Sequence, residues 1–565
     1  MRPDSIVFGA TGLIGRFLIA DLLRRGRTVA AAARGGGDGL TSWLTGRGVP
    51  MDGLVVVPAD VTRPGLDLPP GEWPALRDVY NCAGRYAFGL SVEEARAVNV
   101  TGALHVLDWA AALPGLRRVV HVSGYRVGGS GGEPPDYRKL GAYEASKREA
   151  DAAVQARARE RGVPLSIANP STVIGPGQFV GLASMVADLW HGRLPAVPGN
   201  AFVPVVDAAY LAAFMAALPE HDGSRGESYW ILDDRTPELP ELVGLLAGHL
   251  GVRAPRHTIP AGLLRLLPRA LTGADPETLS FLSTDRYDTA PAVALAERAG
   301  LRPPPVETAL RTWADDLVAA RFGAAQPPPG PYGYQRVAGT TTWVTGERDR
   351  PGHVLLHGLP LDSGSWREVA DRLDGPVLAP DLPGLGRSGP AHGPVADWLA
   401  ALLDGPANGT RPVLVAHSLA CGPALRYAAA HPERVSRLVL VGPAFLQGPS
   451  PGWLRAGPAA LLLRRVPASR LAGVLGLPES PAVRAAAGNL ARRGQARRVV
   501  AALRAAHTAR DELRRLLDRA TVPVEIVVGS ADPLSVEVKR PVTEIAGAGH
   551  YPQLTHPGQV AAAIG

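Results

Sequence analysis

Ser5-Ile-Val-Phe-Gly9-Ala-Thr-Gly12-Leu-Ile-Gly15 runs from an apolar stretch into glycines at positions 9, 12 and 15. The amphipathic run Arg16 to Arg25 follows, with a stop at Gly26. The order reads as strand, tight turn and helix. Glycine at these places lets the backbone turn sharply and approach a pyrophosphate, which sits on the amide dipoles that open the helix. Gly9, Thr11, Gly12, Leu13, Ile14 and Gly15 are therefore the first candidate cofactor-binding residues.

Working outward, further short apolar strands are expected at Thr28 to Arg34, Leu54 to Asp60, Val79 to Gly84, Arg118 to Gly124 and Pro164 to Asn169, with helical stretches between them. That alternation predicts a parallel sheet wrapped by helices. The second strand ends at Arg34 with no acidic residue at its tip. A carboxylate there would hold a ribose 2′-hydroxyl, whereas an arginine accommodates a 2′-phosphate, so NADP(H) is expected ahead of NAD(H). Asp60 is placed to meet the adenine edge.

Tyr143-Glu-Ala-Ser-Lys147 lies on a predicted helix that continues to about Glu160. A spacing of four puts phenol and ammonium on one helix face. There the ammonium is expected to favour tyrosinate and make the phenol an acid/base near neutral pH.

With these residues in hand, about the first 320 residues resemble the extended short-chain dehydrogenase/reductase family. Gly9-Ala-Thr-Gly12-Leu-Ile-Gly15, Asn81-Cys-Ala-Gly84, Asn99-Val-Thr-Gly102, Tyr143 with Lys147, and Asn169-Pro-Ser-Thr-Val-Ile-Gly175 match its signposts in order. Asn81 to Ala110 further resembles the fatty acyl-CoA and thioester reductase branch. The resemblance implies a Rossmann-type doubly wound sheet with a small substrate lobe. It also implies that Tyr143 is the proton donor or acceptor, that Lys147 binds ribose and lowers the tyrosine pKa, and that Asn99 belongs to the active-site neighbourhood. Val61, Cys82, Ala83 and Gly84 are implied in the same way to belong to the cofactor site. One departure stands out. Counted back from Val127-Gly-Gly129, the family's serine or threonine falls at Gly124, with Ser123 beside it as the candidate hydroxyl. Epimerases, dehydratases and hydroxysteroid-type dehydrogenases share Tyr143 and Lys147, and a sensor that binds NADP(H) without turnover also fits Gly124.

From Gly177 to Arg321 the pattern is more helical and less regular, as a substrate lobe requires. Gly323-Ala-Ala-Gln-Pro-Pro-Pro-Gly-Pro331 is too rich in proline for helix or central strand and reads as a stiff linker. The expected division is a first domain over 1–322, a linker over 323–332 and a second domain over 333–565.

A hairpin-like region, Tyr334 to Gly346, opens the second part, followed by strands expected at Val354 to His357, Val377 to Ala379, Val413 to Ser418, Leu438 to Val441 and Val524 to Gly529. The third of these runs into Ala416-His417-Ser418-Leu419-Ala420, a nucleophile elbow in which alanines stand where glycines are usual. Gly529-Ser-Ala-Asp532 follows a late strand, and Gly547-Ala-Gly-His550 follows the last. The chain order Ser418, Asp532, His550 is that of a triad in which His550 takes the Ser418 proton and Asp532 holds the imidazole tautomer.

With Val354-Leu-Leu-His357-Gly358-Leu359 and Asp381-Leu-Pro-Gly-Leu-Gly-Arg-Ser388, residues 334–565 resemble the α/β-hydrolase superfamily. The resemblance implies oxyanion donors at the amides of Leu419 and Leu359, with ester, thioester or amide acyl transfer through an acyl-serine. Serine at the elbow disfavours the aspartate-nucleophile members, and Asp381 is read as a turn former.

A helical lid is expected over about 446–520, where the family inserts one. Residues 451–520 hold fourteen arginines against Glu479, Asp511, Glu512 and Asp518, a net +10, while the whole chain is +7. Positive charge gathered on a lid would draw an anionic substrate or partner, such as a coenzyme A thioester or an acidic acyl carrier protein.

Composition sets the outer limits. At 565 residues, two or more cores are expected. No apolar run reaches membrane-spanning length, and Met1 to Ala10 leads straight into a strand, so a cytoplasmic protein without a membrane span is expected. Cys82 and Cys421 lie in different halves and offer neither a disulfide framework nor a metal cluster. No basic run is interleaved with aromatic residues, so nucleic acid is not an expected partner. The combined expectation is an α/β protein of two domains: an NADPH-dependent reductase of a carbonyl or acyl thioester, fused to a serine hydrolase of an ester or thioester.

Overall fold

Val7 and Phe8 are neighbours on the first strand, both buried, and each belongs to a different apolar core. This alternation repeats across the sheet: Ala31, Tyr80, Val120 and Ala168 join Val7, while Ala30, Val79, Val119 and Ile167 join Phe8. Side chains on a strand point alternately to the two faces, so strands apolar throughout require a layer of helices on each side. In the computed structural model, helices Leu13–Arg24, Ala208–Ala217 and Ala290–Arg298 contribute to one core and helices Gly102–Ala111 and Ala142–Arg161 to the other. The structure describes every residue except 1, 87–88, 128–134, 261–283 and 405–409.

In chain order the strands are β1 (Ser5–Phe8), β2 (Val29–Ala33), β3 (Leu54–Pro58), β4 (Asp78–Asn81), β5 (Arg118–Val122), β6 (Leu165–Pro170), β7 (Thr172–Ile174), β8 (Ala196–Gly199), β9 (Val205–Asp207), β10 (Ser228–Ile231) and β11 (His257–Pro260). Seven of them form a parallel sheet in the order β10-β6-β5-β4-β1-β2-β3. β7 with β9, and β8 with β11, make separate two-stranded ladders. Strand order reverses between β1 and β4, and a crevice opens at such a switch point beyond the carboxyl ends of the strands. The expected strands are all present, each within a few residues. What the sequence reading missed are β7, β8, β9, β10 and β11, of which β10 returns to the edge of the main sheet. The four residues of β10, Ser-Tyr-Trp-Ile, are too few to show a period.

The second sheet has eight strands in the order β12-β13-β15-β14-β16-β17-β18-β19. These are β12 (Tyr332–Val337), β13 (Thr340–Gly346), β14 (His353–Leu356), β15 (Val377–Pro380), β16 (Val413–His417), β17 (Arg437–Val441), β18 (Val524–Gly529) and β19 (Val542–Ile545). The hairpin β12–β13 and the β13–β15 pair are antiparallel, and the remaining pairs are parallel. The same alternation builds two cores: Val354, Leu414, Leu438 and Ile526 face one way, Leu355, Val415, Val439 and Val527 the other. Between β17 and β18 the chain inserts helices Ala459–Arg464, Ala468–Leu475, Pro481–Ala491, Gln495–Thr508 and Arg510–Arg519. No helix or strand lies between Gly323 and Tyr332.

The chain divides into two compact units. The first comprises Met1–Leu182, Ala196–Gly244 and Pro255–Trp313, the second Ala183–Pro195, Leu245–Ala254 and Ala314–Gly565. Among the described residues no helix is long and apolar enough to cross a membrane.

Candidate active sites

Gly9 has φ +75, and a Cβ there would lie 2.6 Å from the carbonyl carbon of Cys82. The turn after β1 is thus pressed against the end of β4, at the switch point of the sheet. A Cβ at Gly15 would lie 2.2 Å from the Gly9 oxygen, so the opening helix turn and the loop also touch. Gly12 caps helix Leu13–Arg24 with no side-chain hydrogen bond, and the first turn carries no acidic residue. The open amides of the first turn and the positive end of the helix dipole, with no carboxylate in that turn, fit a pyrophosphate. Thr11 and Gly12 are exposed there, with Leu13 and Ile14 half-buried beneath them.

Arg34 is exposed just past β2. Asp60 is half-buried just past β3. Its carboxylate accepts from the Thr62 amide at 3.0 Å and the Thr62 hydroxyl at 2.8 Å, and these bonds, with Arg34 nearby, hold its pKa below the ordinary value. That carboxylate closes its own turn. The Val61 carbonyl lies 3.0 Å from His105 Nδ1, tying the loop to helix Gly102–Ala111. At the end of β4, the Ala83 amide donates to Asn81 Oδ1 at 3.1 Å, and burial pushes the Cys82 thiol up to about 12.

Helix Ala142–Arg161 starts at Gly141, whose φ of +82 admits the sharp entry, and carries both Tyr143 and Lys147. The expected lowering of the tyrosine pKa is not what these residues produce. Burial, with the rings and charges of Tyr86 and Glu144 beside it, pushes the Tyr143 phenol well above its usual value. The Lys147 ammonium instead donates to the Val122 carbonyl at 2.8 Å, and burial brings its pKa down to about 8. A spacing of four put the two side chains on one helix face, but the ammonium's hydrogen bond goes to β5 and desolvation sets the state of the phenol.

Ser123 is buried, and its neighbour is the Asp151 carboxyl, raised by burial against the pull of Ser123, Gln155 and Lys147. Gly124 sits beside the lysine: a Cβ there would meet Val127 Cγ1 at 3.5 Å and Lys147 Cβ at 3.6 Å, ordinary contacts. Gly128 and Gly129, part of the register used to place Gly124, lie outside the described residues. Asn99 is in a π-helical turn, Ala97–Thr101. It donates to Ser146 Oγ at 2.9 Å and accepts from the Arg85 amide at 2.8 Å, so it ties the helix to the loop after Gly84. Tyr86, which the sequence reading passed over, stands edge-on to Tyr143 with ring centroids 4.8 Å apart.

In the second unit β16 ends in a sharp turn where Ser418 adopts φ +55. A left-handed residue at that place lifts the side chain out of the strand before helix Cys421–Ala430 begins. Ser418 Oγ lies 2.8 Å from His550 Nε2, and His550 Nδ1 lies 2.7 Å from Asp532 Oδ2. A carboxylate only accepts, so Nδ1 carries the proton and the Nε2 lone pair faces the serine. The three residues come from the ends of β16, β18 and β19, whose adjacent registers bring them together.

Neighbours unseen in the sequence hold this relay. Gln447 donates to the Asp532 carboxylate, and also to its backbone carbonyl at 3.2 Å. His417 Nε2 lies 2.8 Å from the His550 carbonyl, so it is the donor, and burial keeps this imidazole neutral by pushing its pKa far down. A Cβ on Gly358 would lie 2.3 Å from His417 Nδ1 and 2.9 Å from Ser418 Cβ. The turn carrying Leu359 is thus pressed against the elbow whose next residue is Leu419. The Tyr551 hydroxyl donates to the Leu359 carbonyl at 3.0 Å.

Asp381 is far from a proton-transfer role. The Arg387 Nε donates to it at 2.8 Å and the Ser363 amide at 2.8 Å, all buried. Asp362 accepts from Arg321 and from Asn489, the latter at 2.8 Å, and lies 3.6 Å from Arg387. This buried ionic cluster, which no motif announces, pins the segment that follows the Leu359 turn.

Six of the lid arginines are also held by backbone carbonyls. Arg492, Arg498, Arg504, Arg510, Arg514 and Arg515 donate to the backbone carbonyls of Gly386, Gly384, Arg455, Ala444, Phe445 and Asp511 respectively. Six of the fourteen lid guanidiniums are thus positioned by carbonyls within their reach, and they keep their charge.

A doubly wound unit with a glycine cradle and an α/β unit with a Ser-His-Asp relay define a chain of two enzyme-like parts. The chain belongs to the male sterility protein family of NAD-binding domains over residues 7–197 and to the alpha/beta hydrolase family over residues 354–563. It is 32% identical over 255 residues to the pimeloyl-[acyl-carrier protein] methyl ester esterase of Aromatoleum aromaticum, covering 38% of this chain and 97% of that one. It is 30% identical over 287 residues to sterol demethylase protein B of Methylococcus capsulatus, covering 46% of this chain and 79% of that one. Among solved structures, the terminal R domain from the myxalamid PKS-NRPS biosynthetic pathway aligns at 20% identity and a TM-score of 0.46, covering 58% of this chain and 93% of that one. The protein thus joins an NAD(P)-binding reductase-like domain to an alpha/beta hydrolase domain.

Proposed function

We propose that the protein reduces a carbonyl or acyl thioester with NADPH at its first domain and hydrolyses an ester or thioester through Ser418 at its second. The observation that carries the reading is the relay Asp532, His550, Ser418, with contacts of 2.7 and 2.8 Å. In it, His550 takes the proton as Ser418 Oγ bonds to the acyl carbon, and the amides of Leu419 and Leu359 receive the oxyanion. His550 then protonates the leaving alcohol or thiol. Water, activated by the same imidazole, releases the acid and restores the serine.

At the first domain, Gly9, Gly12 and Gly15 with the opening of helix Leu13–Arg24 would hold the dinucleotide pyrophosphate, Arg34 a 2′-phosphate, and Lys147 the ribose. When bound, the dinucleotide supplies a hydride, and Tyr143 supplies the proton to the carbonyl oxygen. The domain borders that go with this reading are 1–322 and 333–565, with 323–332 as linker. A relative named as a methyl esterase of a carrier-bound acyl group supports acyl substrates presented by a carrier protein or coenzyme A.

The test is incubation with acyl thioesters and methyl esters of several lengths, with and without NADPH, reading acid, aldehyde and alcohol together. NADPH-independent acid that disappears in Ser418→Ala, and NADPH-dependent aldehyde or alcohol that disappears in Tyr143→Phe, are expected. Arg34→Ala is expected to raise KM for NADPH and leave that for NADH unchanged. A second reading, in which the first domain binds the nucleotide without turnover, is favoured by Gly124, which offers no hydroxyl beside Lys147. Tight NADPH binding with no product from any carbonyl would select it.

A further inference from the structure

The most exposed large apolar side chains described in the protein are Trp453 at 57%, Leu461 and Leu462 at 66% each, and Val474 at 61%. All four fall within the first part of the insertion between β17 and β18, on the turn Gly452–Arg455 and the helices Ala459–Arg464 and Ala468–Leu475. Each helix buries its other side, Ala459 and Ala460 in one, Leu471 and Ala472 in the other, so the exposed residues form outward faces of elements already anchored in the core. Water-facing leucines and tryptophan gathered in one segment, while every other exposed large apolar side chain among the described residues stays below 50%, call for a partner.

Charge says which partner. From Arg434 to Pro478 the sequence contains no aspartate or glutamate, and Arg455, Arg464, Arg465 and Arg470 fall among the exposed apolar residues. Arg464, Arg465 and Arg470 are exposed and make no ion pair among the described residues. Unlike Arg492, Arg498, Arg504, Arg510, Arg514 and Arg515, these three have no backbone carbonyl partner among the described residues. Leucine and tryptophan interleaved with arginine, with carboxylates excluded, is the composition of segments that lie in the headgroup region of a membrane. The side chains protrude from short elements separated by Gly457, Pro458 and Pro467, which suits a deformable surface better than a rigid protein ridge.

We propose that this part of the insertion docks on the surface of an anionic lipid bilayer, with Trp453, Leu461, Leu462 and Val474 entering the interface and Arg464, Arg465 and Arg470 meeting lipid phosphates. Docking needs neither Ser418 nor NADPH, so it stands or falls separately from the two activities.

The experiment is flotation of the full-length chain with vesicles of phosphatidylcholine alone and of phosphatidylcholine mixed with phosphatidylglycerol. Partition onto the mixed vesicles is expected to exceed that onto neutral ones by at least tenfold, and to fall steeply at about 0.5 M NaCl. Arg464→Gln with Arg465→Gln is expected to weaken it on the order of fivefold per arginine. Leu461→Ser with Leu462→Ser, and separately Trp453→Ser, are each expected to weaken it by tenfold or more. Thermal melting of each variant checks that it folds, and three independent variants keep the test decisive should one fail to. No flotation, equal flotation with neutral vesicles, or flotation untouched by the variants overturns the proposal. Capture of the chain by an acidic acyl carrier protein, abolished by the same variants and without vesicle binding, also overturns it.

Discussion

Ser418 Oγ and His550 Nε2 are 2.8 Å apart although 132 residues separate them in the chain. The contact exists because β16 and β18 flank β17 in parallel and β19 follows β18, so that the loops leaving their carboxyl ends share one rim. His550 is held there twice, by Asp532 through its ring and by His417 through its backbone.

Removing either end of the relay separates the two activities. Ser418→Ala is expected to lower ester cleavage by about 10⁴-fold or more, with loss of fluorophosphonate labelling. Asp532→Asn should cost a similar factor by releasing the imidazole tautomer. NADPH binding, measured by fluorescence titration, should be unchanged in both. Labelling that persists in Ser418→Ala would show another nucleophile.

Lys147 is a stability cost kept at the centre of the first site. Its folded-state pKa, about 8, lies below the ordinary 10.5, so between these values the unfolded chain binds the extra proton and stability rises with pH. Below about pH 8 the full penalty is present, on the order of 3 kcal/mol. Lys147→Met should therefore raise Tm at pH 7 while abolishing reduction, and the gain should shrink as pH approaches 10. A Tm difference that is flat with pH would refute the assignment.

Gly124 leaves room for a side chain beside Lys147, since the nearest contacts of a Cβ are 3.5 and 3.6 Å. Gly124→Ser is expected to fold with a stability change within about 0.5 kcal/mol. A hydroxyl that can reach the carbonyl oxygen is worth about one hydrogen bond in the transition state, so reductase kcat should rise by roughly tenfold. No rise in kcat, with NADPH affinity intact, would favour the binding-only reading.

Arg387 compensates two buried carboxylates. Burial raises the pKa values of Asp381 and Asp362, but Arg387, with Arg321 on Asp362, more than offsets it and holds both below the ordinary value. Their stabilisation is therefore present above about pH 4 and lost as pH falls below it. Arg387→Met is expected to cost about 3 to 5 kcal/mol near neutral pH, seen as a lower urea midpoint of the second unit. The deficit should close in acid, where the carboxylates are neutralised. Arg387→Lys should not restore it, because the pair is held by two guanidinium nitrogens.

What could be read without coordinates was whatever rests on neighbours in the chain. Glycines at 9, 12 and 15 after an apolar run, tyrosine and lysine four apart on a helix, and the order of Ser418, Asp532 and His550 are local or ordinal signals, and the two sheets follow from strand alternation. Tertiary structure alone decided which atoms meet. It turned Lys147 toward Val122, closed Asp60 on Thr62, set Gln447 on Asp532, and gathered Arg321, Asn489 and Arg387 around Asp362. The physical reason is that desolvation and hydrogen-bond pairing depend on residues brought close from distant parts of the chain. Spacing along a helix or strand fixes the face of a side chain, while its charge state and its partner are set by what packs against that face.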